Sequence, residues 1–178
     1  GLQPGLIVAD RTVGGEFENI ATPEQRVPEV PLGYPWESCL TMGNGWAYRP
    51  GDEYKSARVL IHLLVDIVAK GGNLLLNVGP DPEGALDPVA VGRLEEIGAW
   101  MAVNGDAIHG TRPVAPYKAG QVCYTGKDAR VFALVLAAEG ASRPPASVRL
   151  EGVRPPEGST VRILGLPEPV SWRGTDSG

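Results

Sequence analysis

The chain has 178 residues, with 16 basic against 21 acidic side chains, a net charge of −5 and no block of basic residues. That length supports one or two globular domains with a real core, and that charge balance excludes electrostatic binding to nucleic acid or to an anionic membrane surface. A neutral or polar ligand is expected instead, and 24 glycines with 17 prolines, spread between periodic segments, indicate a loop-rich fold.

In chain order, Leu6-Ile7-Val8-Ala9-Asp10-Arg11 reads as an apolar strand running into charge almost at the first residue. Gly1-Leu2-Gln3-Pro4-Gly5 has neither an initiator Met nor a leader pattern, so a cut N-terminus is expected. No stretch is long and apolar enough to span a bilayer. A soluble chain follows, with its targeting information absent and its compartment left open. Residues 12–35 form a long connection rich in Pro, Gly and Glu, and connections of that length are usually functional. A strand is predicted over 38–42, with Trp46-Ala47-Tyr48 as a further candidate. Residues 54–70 then carry Val59, Leu60, Leu63, Leu64, Ile67 and Val68 at helical spacing, which predicts a helix with one wide apolar face.

Gly71 and Gly72 close that helix with the left-handed backbone a C-terminus favours. The run Asn73-Leu74-Leu75-Leu76-Asn77-Val78-Gly79-Pro80 does not alternate, which suits a strand covered on both faces in a parallel sheet. Such a strand is expected to belong to a larger sheet than this chain builds. A turn-rich loop spans Asp81 to Asp87, and Asp87-Pro88 starts a helix over 88–104 with Leu94, Ile97, Trp100 and Met101 on its inner side. Alternating strands and helices imply right-handed parallel crossovers. After Thr111-Arg112-Pro113 the pattern becomes short apolar runs at 122–124, 131–136, 147–150 and 161–164, the spacing of a β-sandwich. The predicted fold class is therefore α/β, with a boundary near residue 113 and an all-β, sandwich-like remainder whose end at Gly178 is expected to be cut. Cys39 and Cys123 lie far apart without metal-ligand spacing, so both are expected as reduced, partly buried thiols.

Several of these pieces together resemble the retaining α-L-fucosidase family of glycoside hydrolases. They are Val8-Ala9-Asp10-Arg11, Thr22-Pro23-Glu24-Gln25, Trp36-Glu37-Ser38-Cys39-Leu40-Thr41-Met42, Trp46-Ala47-Tyr48, Lys70 to Pro80, and Asn104-Gly105-Asp106-Ala107-Ile108-His109-Gly110-Thr111. Their order and spacing carry the resemblance, which covers about residues 6–112. It implies that residues 1–112 are the last strands and helices of a (β/α)8-like TIM barrel and that 113–178 are a truncated C-terminal β domain.

The same resemblance implies roles. Arg11 matches an arginine that contacts fucose and the catalytic carboxylates, which suits a guanidinium at a strand's C-terminal end. The competing reading is a surface ion pair with Asp10 or a nearby glutamate. Glu24 is the candidate general acid/base. Retaining hydrolysis needs one carboxyl group to protonate the leaving oxygen and a second, about 5–5.5 Å away, to attack the anomeric carbon. Glu16 and Glu18 are the next choices, Glu29 and Glu37 are further rivals, and any of them alone reads equally as a solvated loop charge. Trp46 matches an aromatic that packs on the apolar face of the sugar; a half-buried core tryptophan is the alternative. Trp36 and Glu37 are expected to support the site and His62 and His109 to be structural, while Asn77 and Gly79 read as a plain turn, with close backbone approach or loop positioning as the alternative.

The family's nucleophilic aspartate and its fucose-binding histidines belong to earlier strands, and Asp10 is not that aspartate. The resemblance thus implies a catalytically incomplete piece of an exo-acting fucosidase without metal or organic cofactor. Its partners would be a fucosylated oligosaccharide or glycoconjugate and the missing N-terminal part of its own barrel. The rival hypothesis is a non-catalytic carbohydrate-binding or structural module on the same scaffold. A different α/β hydrolase finds no support, because the chain has no Gly-x-Ser-x-Gly elbow and no phosphate-binding glycine motif.

Overall fold

The computed structural model describes residues 3–9, 11, 16–141 and 143–175, so Asp10 lies outside the described residues. Four segments run parallel up to residue 77. Ala9 bridges Ile20, Ala21 bridges Trp36 and Glu24 bridges Cys39, and β1 (Glu37–Thr41) pairs with β2 (Asn73–Asn77) from Glu37↔Asn73 to Thr41↔Asn77. The segment around 20–24 falls inside the stretch read from sequence as a loop. Pro23 and Pro35 withhold donors from any continuous ladder, yet their carbonyls accept from Cys39 and Ala21, so pairing survives as single bridges. Among its described residues the predicted first strand is likewise reduced to one bridge, and Trp46-Ala47-Tyr48 forms no strand.

The helix α1 (Ala57–Ala69) is capped at its start by Ser56, whose hydroxyl accepts from the Val59 amide. At its end Gly71 adopts φ 82°, its amide bonds to Val68 O and the Gly72 amide to Ile67 O. Those two bonds are the Schellman arrangement. A Cβ on Gly72 would lie 2.4 Å from the Trp36 ring, so only glycine lets the chain enter β2 over that buried indole. The helix α2 (Pro88–Asn104) has the predicted bounds, with the Asp87 carboxylate accepting from the Val89 amide and Pro88 in the first turn.

The helix α1 buries two faces, where one wide face was expected. Ile67 joins Ala21, Trp36 and Leu40, and Leu60 joins Met42 and Ala90, all toward the parallel strands and α2. Val65 and Ala69 point the other way, into a cluster with Ile108 and Cys123, while Val59 is left exposed. The cause is the antiparallel sheet, which packs against α1 from outside. Ile97, Trp100 and Met101 face inward as predicted, but Leu94 is exposed. β2 departs from expectation as well: Leu74 and Leu76 pack toward α1, whereas Leu75 is 49% exposed.

A short 3₁₀ turn (Gly105–Ala107) leads to β3 (Arg112–Ala119), β4 (Val122–Lys127) and β5 (Arg130–Val135), an antiparallel sheet in the order β3-β4-β5. Pairing thus changes from parallel to antiparallel at Arg112. β3 was not predicted, because Pro113 and Pro116 break its pattern; its register shifts between Pro113 and Lys118. The strand expected over 147–150 does not form; it follows Pro144-Pro145, and no ladder includes it among the described residues. The run at 161–164 shortens to β6 (Val161–Arg162), which pairs with β7 (Pro169–Val170). Both cysteines are buried free thiols. No helix of the described residues is long and apolar enough to cross a membrane.

Candidate active site

In parallel segments every strand ends on the same side, and side chains just beyond those ends share one surface. Arg11 lies two residues past the Ala9 bridge, Glu24 sits at its own bridge to Cys39, and Thr41 and Asn77 end β1 and β2 opposite each other. The Arg11 guanidinium spans the first two ends. Its Nη1 donates to Glu24 Oε2 at 2.8 Å and its Nε to Thr22 Oγ1 at 3.2 Å. Both partners of the ion pair are half open to solvent, Arg11 at 45% and Glu24 at 48%. Among the described residues Glu16, Glu18, Glu29 and Glu37 form no ion pair.

Glu24 is held at its backbone on both sides. Cys39 N donates to Pro23 O at 3.1 Å, and Gln25 N donates to Cys39 O at 2.9 Å. Gln25 then turns the chain with φ 54°. Its side-chain amide donates to Thr41 Oγ1 at 3.1 Å and accepts from the Thr41 amide at 3.4 Å. Thr41 Oγ1 in turn donates to Gly43 O at 2.8 Å. Neither Gln25 nor Thr41 was singled out from the sequence. The available signal was their polarity beside apolar strand residues, since a buried hydroxyl requires a partner.

Trp46 occupies the loop between β1 and α1, at the same end of the strands, and the residue is 38% exposed. No hydrogen bond joins it to Arg11 or Glu24. The loop itself is anchored: Lys55 Nζ donates to Thr41 O at 2.6 Å and Gly43 O at 3.3 Å, and the Asp52 carboxylate accepts from the Asn44 amide. Gly79 closes the other side, where a Cβ would lie 2.5 Å from Tyr48 N; close backbone approach, rather than a plain turn, explains this glycine. Burial, with Asp87, Asp52 and Tyr48 nearby, pushes the Tyr54 phenol up beneath the loop. Asn77 Oδ1 is buried at this end without a hydrogen-bond partner. Trp36 is fully buried under the sheet, and its role here is packing.

Among the described residues no group of three or more His, Cys, Asp or Glu side chains is disposed to hold a metal ion. His62 lies outside this end, on α1, where burial and the charges of Arg58 and Lys118 lower its imidazole. Chemically, the arrangement offers a carboxylate, a guanidinium able to hold anionic or hydroxyl oxygens, and a partly exposed tryptophan in the loop after β1.

The family model described as Alpha-L-fucosidase matches residues 1–106. An α-L-fucosidase of Branchiostoma floridae is 34% identical over 153 residues, covering 82% of this chain and 33% of that relative. The human plasma α-L-fucosidase is 34% identical, covering 79% of this chain and 32% of its own length. Among solved structures, α-L-fucosidase isoenzyme 1 from Paenibacillus thiaminolyticus superposes with a TM-score of 0.66 at 35% identity, over 71% of this chain and 34% of that one. The chain therefore spans about a third of the length of the relatives it matches.

Proposed function

The chain belongs to the alpha-L-fucosidase family, and from that premise we propose that it is part of a retaining exo-α-L-fucosidase that removes terminal α-L-fucose from glycoconjugates. The observation that carries the reading is the Arg11–Glu24 pair at 2.8 Å, at the C-terminal ends of adjacent parallel segments. Residues 1–112 are then the last part of a (β/α)8 barrel and 113–178 a β domain seated on α1. The half-exposed Leu75 of β2 supports this, since it is a position that further barrel strands would cover.

In this reading Glu24 is the general acid/base. A nucleophilic carboxylate from an earlier strand attacks the anomeric carbon while Glu24 gives its proton to the departing oxygen. Glu24 then takes a proton from the water that releases fucose. Arg11 serves both carboxylates and a sugar hydroxyl, and Trp46 packs against the apolar face of the 6-deoxy sugar.

The test is turnover of an aryl α-L-fucoside. Residues 1–178 alone are expected to show none, and the full-length protein to hydrolyse it with net retention. Glu24→Gln in that protein should lower kcat/KM by about 10²–10⁴ for substrates whose leaving group needs a proton. Full-length protein that binds fucose but turns over nothing would leave a carbohydrate-binding module, and an unimpaired Glu24→Gln enzyme would remove Glu24 from the mechanism.

A further inference from the structure

Most glutamates on loops are mobile, and a proton donor that swings loses its geometry. Glu24 differs, because the residue after it is bolted to the neighbouring strand. Gln25 takes a backbone conformation, φ 54°, that a glutamine rarely adopts, and does so where its side chain reaches Thr41. The two contacts are reciprocal: amide nitrogen to Thr41 Oγ1 at 3.1 Å, amide oxygen from Thr41 N at 3.4 Å. With the two backbone bonds to Cys39, four hydrogen bonds fasten residues 23–25 to β1. Thr41 is buried, so its hydroxyl has no water to fall back on. It passes the constraint on to Gly43 O, which Lys55 Nζ also holds. The same network therefore reaches both Glu24 and the loop that bears Trp46.

We propose that Gln25, through its paired hydrogen bonds to Thr41, is a positioning residue that fixes the Glu24 carboxyl for proton transfer to the leaving group. The proposal rests on the reading of Glu24 as acid/base. Neither residue touches the sugar; they act through Glu24. The left-handed turn is part of the device, since it brings the Gln25 side chain back over β1 while Glu24 stays on the strand-end surface.

The experiment compares kcat/KM of the full-length enzyme on two substrates. An alkyl α-L-fucoside needs its leaving oxygen protonated, and a 2,4-dinitrophenyl α-L-fucoside does not. Gln25→Gly keeps a backbone that suits positive φ and removes only the side chain; Thr41→Val removes the hydroxyl, and Thr41→Ser retains it. Gln25→Gly and Thr41→Val are expected to lose about 10–100-fold on the alkyl substrate, to change little on the dinitrophenyl substrate, and to keep a two-state melting transition. Thr41→Ser should restore the alkyl activity. Equal losses on both substrates, or none on either, would overturn the positioning role. Glu24→Gln in the same assay separates the two claims: if it shows the substrate split and Gln25→Gly does not, only positioning fails, and if it shows no split, the acid/base reading fails and takes this inference with it.

Discussion

The parallel segments before Asn77 and the antiparallel strands after Arg112 are both small sheets, but they bury themselves by opposite means. The parallel side has its own core: Trp36, Met42, Leu60 and Ile67 are almost fully buried between strands and helices. The antiparallel side has one buried strand. Val122, Cys123, Tyr124 and Thr125 of β4 are covered, while Val131 and Val135 of β5 remain exposed. What covers the Cys123 and Thr125 face of β4 is α1 and the turn after α2. Cys123 packs with Val65 and Ala69, and Thr125 Oγ1 donates to Ala107 O at 2.8 Å. One helix thus serves as the wall for both regions, and the second depends on the first.

The largest effect should come from removing the parallel side's own core. Trp36→Ala empties the space beneath β1 and next to Gly72, and large aromatic truncations in cores cost about 3–5 kcal/mol. Val131→Ala on the exposed β5 surface should stay within about 0.5 kcal/mol. Urea denaturation of the two variants measures the contrast directly. Similar losses would mean that the antiparallel sheet carries a core of its own.

The joint between the regions is electrostatic as well as apolar. Asp66 on α1 accepts from Lys70 Nζ at 2.6 Å and from Lys118 Nζ of β3 at 2.8 Å, and Lys70 also donates to Pro28 O. Burial works against the Asp66 charge, but the hydrogen bonds from Lys118 and Lys70 outweigh it and hold the carboxyl below its ordinary range. Lys118 is raised, chiefly by its hydrogen bond to Asp66. Asp66→Ala leaves the largely buried Lys70 ammonium without its counter-charge, at a cost of about 2–3 kcal/mol. The signs set the pH window. A lowered carboxyl contributes above its unfolded pKa and loses that contribution as pH falls through its folded value. A raised ammonium contributes below its unfolded pKa and loses it as pH rises through its folded value. The gap between wild type and Asp66→Ala should therefore be widest near neutral pH and close toward strong acid. A gap that does not vary with pH would show that Asp66 acts by packing alone.

The same asymmetry governs what could be read from the sequence. The bounds of α2, the glycine exit from α1, and the cores of β2, β4 and β5 depend on local chemistry: caps, left-handed glycines and short apolar runs. Partnership is not local. Spacing showed that Leu60, Leu64 and Val68 are apolar, but not that they face two different neighbours across α1. Proline masked both the bridging segment at 20–24, where the carbonyls of Pro23 and Pro35 carry the bridges, and β3, whose register shifts between Pro113 and Lys118. At the candidate site Arg11 and Glu24 were legible through family resemblance. The Gln25–Thr41 tie was not, since a glutamine at φ 54° has no sequence mark.

A smaller effect than the loss of Asp66 tests how far dependence extends beyond β5. Tyr124 is fully buried on β4, and its phenol oxygen accepts from the Glu151 amide at 3.0 Å, a contact that fastens the irregular stretch after β5 to the sheet. Burial raises its phenol, so it stays a neutral hydroxyl across the working range. Tyr124→Phe keeps the ring and its packing and deletes only this acceptor, which should cost about 1 kcal/mol in global stability. The local consequence is the sharper one. Amide exchange at Glu151 should accelerate while exchange within α1 is unchanged, because the tie lies downstream of the wall that both regions share. If α1 amides accelerate as well, stabilisation runs from the last segment back into the helix, and the dependence of the second region on the first is mutual.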